Sequence, residues 1–99
     1  YSVFMRLSPE KRTIIKSLVR RCIPGASVYV FGSRADDRRR GGDIDILVIG
    51  GRKLTLREKI SITTAFTMRF GEQKLDMVSF GEKDPDTFKI LALESAVSL

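Results

Sequence analysis

Two aspartates at alternate positions of an apolar run constrain this chain more than any other feature. The run is Asp43-Ile44-Asp45-Ile46-Leu47-Val48. Its apolar, largely β-branched residues predict a strand, expected over 43–49. Strand side chains alternate faces, so Asp43 and Asp45 share one face while Ile44, Ile46 and Val48 point into a core. Two carboxylates about 5 Å apart at an effective dielectric of about 20 repel by about 3 kcal/mol. A strand does not carry that repulsion for structure alone. A proton or a bound cation offsets it. Hard oxygen ligands suit Mg²⁺ or Mn²⁺, and Mg²⁺ is commonly shared between one or two carboxylates and the phosphates of a substrate.

The residues just upstream offer a place for such phosphates. Val28-Tyr29-Val30-Phe31 reads as a strand, expected over 27–31, and runs into Gly32-Ser33. Gly32 permits close backbone approach. Ser33 supplies a hydroxyl and an N–H at the predicted start of a short helix reaching about Arg39, an anion-binding position. Ser33-x-x-Asp36 also fits a capping box, and the two roles are compatible. Arg34, Arg38, Arg39 and Arg40 make the loop basic, and Gly41-Gly42 turn it into the next strand.

Gly32-Ser33, nine intervening residues and then Asp43-x-Asp45 resemble the signature of the DNA polymerase beta-type nucleotidyltransferase superfamily. Gly32-Ser33-Arg34-Ala35 with Gly42-Asp43-Ile44-Asp45-Ile46 resembles more narrowly its minimal nucleotidyltransferases, small prokaryotic proteins often paired as antitoxin with a helical HEPN-type toxin. That family often has Ser where Gly42 stands. In the family a third carboxylate comes from the strand after the next helix, within Leu-Asp-hydrophobic-Val. Leu75-Asp76-Met77-Val78 occupies that place.

Elsewhere the chain supplies ordinary helix and strand signals. Ser8-Pro9-Glu10 reads as a helix start, followed by Ile14, Ile15, Leu18, Val19 and Cys22 on one face and a stop at Pro24-Gly25. Cys22 reads as a buried small apolar residue. Thr55-Leu56-Arg57-Glu58 is a capping box, with Leu56, Ile60, Thr63 or Thr64, and Phe66 or Thr67 continuing at helical spacing to Phe70 and Gly71 expected to end the helix. Residues 73–80 read as the third strand, in which Asp76 is a lone carboxylate. Asp84-Pro85 opens a last helix with Phe88, Leu91, Ala92, Ser95 and Ala96 on one face and Leu93, Val97 and Leu99 as further apolar surface.

The expected order is therefore helix, strand, short helix, strand, helix, strand, helix. This is an α/β (α+β) chain with a small mixed sheet, helices on one face and carboxylates near one edge of the other. Its 99 residues are expected to form a single domain, 1–99. The strand arrangement follows from the resemblance, which implies a polymerase beta-like nucleotidyltransferase core.

Composition narrows the function classes. A net charge of +6 and a pI of about 9.9 favour polyanionic ligands: a nucleoside triphosphate, a nucleic acid or an acidic partner. The absence of histidine excludes Ser-His and Cys-His triads, His-dependent RNA cleavage and His-ligated zinc within the chain. One cysteine excludes an internal disulfide and favours the cytoplasm. No run approaches a membrane span. Tyr1 is not an initiator methionine, so the start of the chain carries no argument about a leader.

The resemblance implies a Mg²⁺-dependent nucleotidyltransferase with two ions held by Asp43, Asp45 and Asp76. Gly32, Ser33 and Arg34 would bind the triphosphate. The implied reaction is transfer of AMP from ATP to a hydroxyl, expected to be a tyrosine of a HEPN-type partner. A homo- or hetero-oligomer is compatible with this. Two other readings stay open: a binding module that neutralises its partner by contact alone, and a transferase acting on a small-molecule or nucleic-acid hydroxyl. An aromatic content of 8% offers few stacking platforms for single strands, which weighs against the nucleic acid.

Overall fold

Ser8 opens the first helix by accepting a hydrogen bond from the Lys11 N–H at 3.2 Å. With Pro9 at the first helical position and Glu10 in the first turn, helix α1 runs Pro9–Cys22. The computed structural model describes residues 7–30, 44–71, 75–86, 89–90, 93–94 and 96–99. The predicted short helix over 33–39 lies outside them.

Strand β1 (Ser27–Val30) pairs antiparallel with β2 (Ile44–Gly50). Helix α2 (Leu56–Phe70) follows, and β3 (Leu75–Gly81) returns parallel to β2. A parallel return needs a crossover, and α2 provides it. The sheet order is β3-β2-β1-β4, where β4 is the two-residue strand Val97–Ser98 beside β1. The mixed sheet and the expected α+β architecture are thus present.

Helix α2 starts with a complete capping box. The Thr55 hydroxyl accepts from the Glu58 N–H at 3.1 Å, and the Glu58 carboxylate accepts from the Thr55 N–H at 2.9 Å. Arg52 adds a bidentate pair to Glu58, both contacts at 2.8 Å, and donates to the Cys22 carbonyl at 3.0 Å. The Arg52 guanidinium and the capping hydrogen bond hold the Glu58 carboxyl down at about 2. At the other end Gly71 has φ +88, a backbone conformation that glycine adopts without a side-chain clash.

The main core lies between the helices and one sheet face. Ile15 and Val19 of α1 and Ile62 and Phe66 of α2 meet Val28, Val30, Ile44, Ile46, Val48 and Leu75. A buried Phe or Ile contributes about 1.5–3 kcal/mol by leaving water. A smaller cluster lies on the other face, with Leu47 and Phe80 against Tyr29, Ile49, Val78 and Ala96. Gly50 closes β2 where space is short. A Cβ there would stand 2.8 Å from Ile23 Cγ2 and 3.3 Å from the Ala26 Cβ.

Three details depart from the sequence reading. Leu56 and Ile60 are exposed, and Ile62 with Phe66 forms the buried face of α2 instead. Phe66 is common to both readings, and Ile62 lies closer to it around the helix than Ile60 does, so Ile62 is the residue that packs beside it. Val97 extends β4 rather than a helix, because the edge of β1 offers it backbone partners. Helical residues before it are 89–90 and 93–94 among the described ones. Cys22 is half-buried, packed at the margin of the core.

Candidate active site

Asp45 and Asp76 each occupy the second position of their strand, and the parallel register pairs them directly. Neighbouring strands run about 4.8 Å apart, so the carboxylates stand side by side. They face away from α1 and α2. Ile44, Ile46 and Leu75, which flank them in sequence, all belong to the helix-side core. Both aspartates are half-buried.

The rows behind them are apolar. Leu47 pairs with Val78 and Ile49 with Phe80, and these rows share the carboxylates' face. The site therefore has a carboxylate row at the start of the strands and a greasy floor beyond it. Two adjacent carboxylates against an apolar floor suit a hard cation at the row. Each aspartate also interacts with other groups of the chain. Among the described residues no group of three His, Cys, Asp or Glu could hold a metal ion. The donor chemistry of the pair itself, two adjacent carboxylates, fits Mg²⁺ or Mn²⁺.

Two of the six residues predicted for the site are thus brought together. Gly32, Ser33, Arg34 and Asp43 lie outside the described residues. The segment that carries them is tethered at both ends beside the carboxylates. It leaves β1 at Val30, which pairs with Ile46, and rejoins the sheet at Ile44.

The opposite end of β2 and β3 is fastened by groups that sequence reasoning did not single out. The buried Ser79 hydroxyl accepts from the Leu54 N–H at 2.8 Å. The Glu82 N–H donates to the Gly50 carbonyl at 2.7 Å. The Lys89 ammonium donates to the carbonyls of Gly81, Glu82 and Asp84 at 3.0, 2.7 and 3.1 Å. Ser79 could have been noticed as a small polar residue inside an apolar strand. Nothing in the spacing of Lys89 marks it. The Glu82–Gly50 bond continues the β2–β3 pairing past the strand ends, while Ser79 ties β3 to the segment before α2 and Lys89 gathers the turn after β3.

The family model described as polymerase beta, nucleotidyltransferase matches residues 13–99. No curated protein sequence matches the chain. Solved structures do. A chain of the tri-AMPylated Shewanella oneidensis HEPN toxin in complex with MNT antitoxin is 20% identical, with a TM-score of 0.60 over 88% of this chain and 66% of that one. A chain of a toxin–antitoxin crystal structure with AMP-PNP is 21% identical, with a TM-score of 0.65 over 88% of this chain and 70% of that one. A chain of the MntA–HepT toxin–antitoxin structure is 17% identical, with a TM-score of 0.60 over 92% of this chain and 70% of that one. These likenesses show the fold. The chain spans 66% of the first of them, just under two thirds.

Proposed function

The chain belongs to the polymerase beta nucleotidyltransferase family, and on that premise we propose that it transfers AMP from ATP to a hydroxyl, a tyrosine of a HEPN-type toxin, as the antitoxin of the pair. The observation that carries the reading is the Asp45–Asp76 row, a pair of carboxylates in register inside a nucleotidyltransferase chain. The choice of acceptor and donor is supported by the similar solved structures, which include an AMPylated toxin and an AMP-PNP complex. Residues 1–99 act in this reading as one minimal nucleotidyltransferase domain, working in the cytoplasm. Among the described residues no helix is long and apolar enough to cross a membrane.

Asp43, Asp45 and Asp76 would together hold two Mg²⁺ ions. Bound there, the ions would neutralise the triphosphate and acidify the acceptor hydroxyl. Gly32 and Ser33 hold the β- and γ-phosphates through backbone N–H groups and the hydroxyl, and Arg34 offsets their charge. The acceptor oxygen attacks the α-phosphorus in line, its proton passes to Asp76, and the bond to pyrophosphate breaks. The apolar floor of Leu47 and Val78 excludes water from behind the carboxylate row. Positioning and charge neutralisation do most of the work.

Calorimetric titration tests the reading. ATP and GTP are titrated with and without Mg²⁺ into wild type and into Asp45→Asn/Asp76→Asn. Binding that needs Mg²⁺, prefers ATP and disappears in the variant is the expected result. Equal binding by the variant would sink the carboxylate roles. A transfer assay with the co-expressed toxin then separates the enzyme from an antitoxin that works by contact alone.

A further inference from the structure

After β3 the chain crosses the sheet on the face that carries the carboxylates. It leaves at Gly81, the far end of the end strand β3, and returns as β4 on the opposite edge. Helices α1 and α2 occupy the other face, and Ala96 packs against the cluster of Leu47 and Phe80, so the crossing shares a face with Asp45 and Asp76. Lys89 fastens its start through the carbonyls of Gly81, Glu82 and Asp84. Its end comes down close to the row. Val97 pairs with Val30, and Val30 with Ile46, the residue after Asp45. Strand β1 alone separates β4 from β2, which puts β4 about 10 Å from β2.

Residues 89–90 and 93–94 of this crossing are helical. Ile90 and Leu93 stand three residues apart, which puts them on one side of it, and they are 58 and 37% exposed. The Ala96 N–H donates to the Leu93 carbonyl at 3.4 Å, which keeps Leu93 one turn from β4 and so beside the row. The charge here is opposite to that of the whole chain. Residues 82–99 carry Glu82, Asp84, Asp86 and Glu94 against Lys83 and Lys89, in a chain of net charge +6, and Glu94 next to Leu93 is exposed. Such a border turns away nucleic acid, and it sets the acids of a second copy against its own. A protein acceptor fits. Its hydroxyl must be held still before the carboxylates, and a large acceptor gains that from contacts remote from the reacting atom.

We propose that Ile90 and Leu93 form the ridge on which the acceptor protein docks, positioning its hydroxyl at Asp45 and Asp76 and setting which protein is modified. The complementary surface is an apolar socket with a basic side chain at its rim to meet Glu94. The proposal rests on the transfer reading above.

Initial rates of AMP transfer to the HEPN-type toxin and to N-acetyltyrosinamide test it. The proteins compared are wild type, Ile90→Glu, Leu93→Glu and, as a control on the helical side, Met68→Glu, where the side chain is 83% exposed. The ridge variants are expected to raise KM for the toxin by on the order of tenfold or more. Their kcat, their KM for ATP and their rate on N-acetyltyrosinamide stay at the wild-type level, and Ile90→Leu matches wild type throughout. A second arm needs no transfer. The toxin is titrated calorimetrically into Asp45→Asn/Asp76→Asn with and without Ile90→Glu, and affinity is expected to fall by on the order of tenfold with it. If wild type moves no AMP, the transfer reading fails, and this arm still decides the docking. Ile90 is exposed enough for its variant to keep the fold, which the melting curve checks. Unchanged KM and affinity in the ridge variants, an equal loss in Met68→Glu, or a parallel loss on N-acetyltyrosinamide would overturn the proposal. So would a wild-type dimer in light scattering that Ile90→Glu dissociates, since the occupant would then be a second copy.

Discussion

Asp45 and Asp76 are register partners on adjacent parallel strands, and both face away from the two helices. The pairing is set by hydrogen bonds along the whole β2–β3 ladder, not by anything the carboxylates gain from each other. A cation placed before the row meets both at once.

Removing that negative row tests its use directly. In Asp45→Asn/Asp76→Asn the side chains keep their size while losing their charge. AMP incorporation into the partner is expected to fall by on the order of 10³-fold or more, as when a principal charge-stabilising group leaves an active site. Circular dichroism should still show a folded chain. Retained transfer would place the chemistry elsewhere.

Acid should loosen the start of α2. Glu58 titrates at about 2 in the fold, against 4.5 for the free side chain, because Arg52 and the Thr55 N–H hold its charged form. A depressed carboxylate gives stability that is complete above about pH 4.5 and is lost as the pH falls towards 2. Melting temperatures of wild type and Glu58→Gln are expected to converge over that window. A constant gap between pH 6 and pH 2 would contradict the assignment, since that range contains the whole interval between the unfolded and folded values.

Ser79 is a polar bolt in a buried place. Ser79→Ala removes the acceptor for the Leu54 N–H, which is then left without its 2.8 Å partner. The expected cost is about 1–3 kcal/mol in chemical denaturation. Hydrogen exchange should accelerate first at Leu54.

Gly50 is expected to reject any side chain. In Gly50→Ala the new methyl meets Ile23 Cγ2 and the Ala26 Cβ, neither of which sits at the end of a long flexible chain. Overpacking of this kind costs about 1–3 kcal/mol. If the variant melts with wild type, the turn between α1 and β1 yields more easily than its packing implies.

Local chemistry made much of this fold legible. Ser8-Pro9-Glu10 and Thr55-x-x-Glu58 mark both helix starts because capping is settled within four residues. The alternation around Asp45 was readable because a strand face depends only on parity. The buried face of α2 was readable only in part: Phe66 belonged to the expected series, but Leu56 and Ile60 share helical spacing with it and are exposed, while Ile62 packs beside it. Strand β4 was missed for a related reason. Two residues carry no period, and Val97–Ser98 become a strand only because Tyr29 and Val30 present an edge. Asp76 could be singled out from its setting in Leu75-Asp76-Met77-Val78, but its nearness to Asp45 needed the strand order. Lys89 joins three carbonyls that only the folded turn collects. Gly32, Ser33, Arg34 and Asp43 remain readings of a motif.

The crossover has a consequence for how the protein is made. Asp45 leaves the ribosome with β2, but its neighbour arrives only after the whole of α2 has followed and β3 has docked. No half-synthesised chain holds the row. A ligand that grips both aspartates therefore binds finished molecules and ignores partial ones, drawing the population toward the completed sheet by mass action. Occupancy by such a ligand would double as an inspection of the newly made chain.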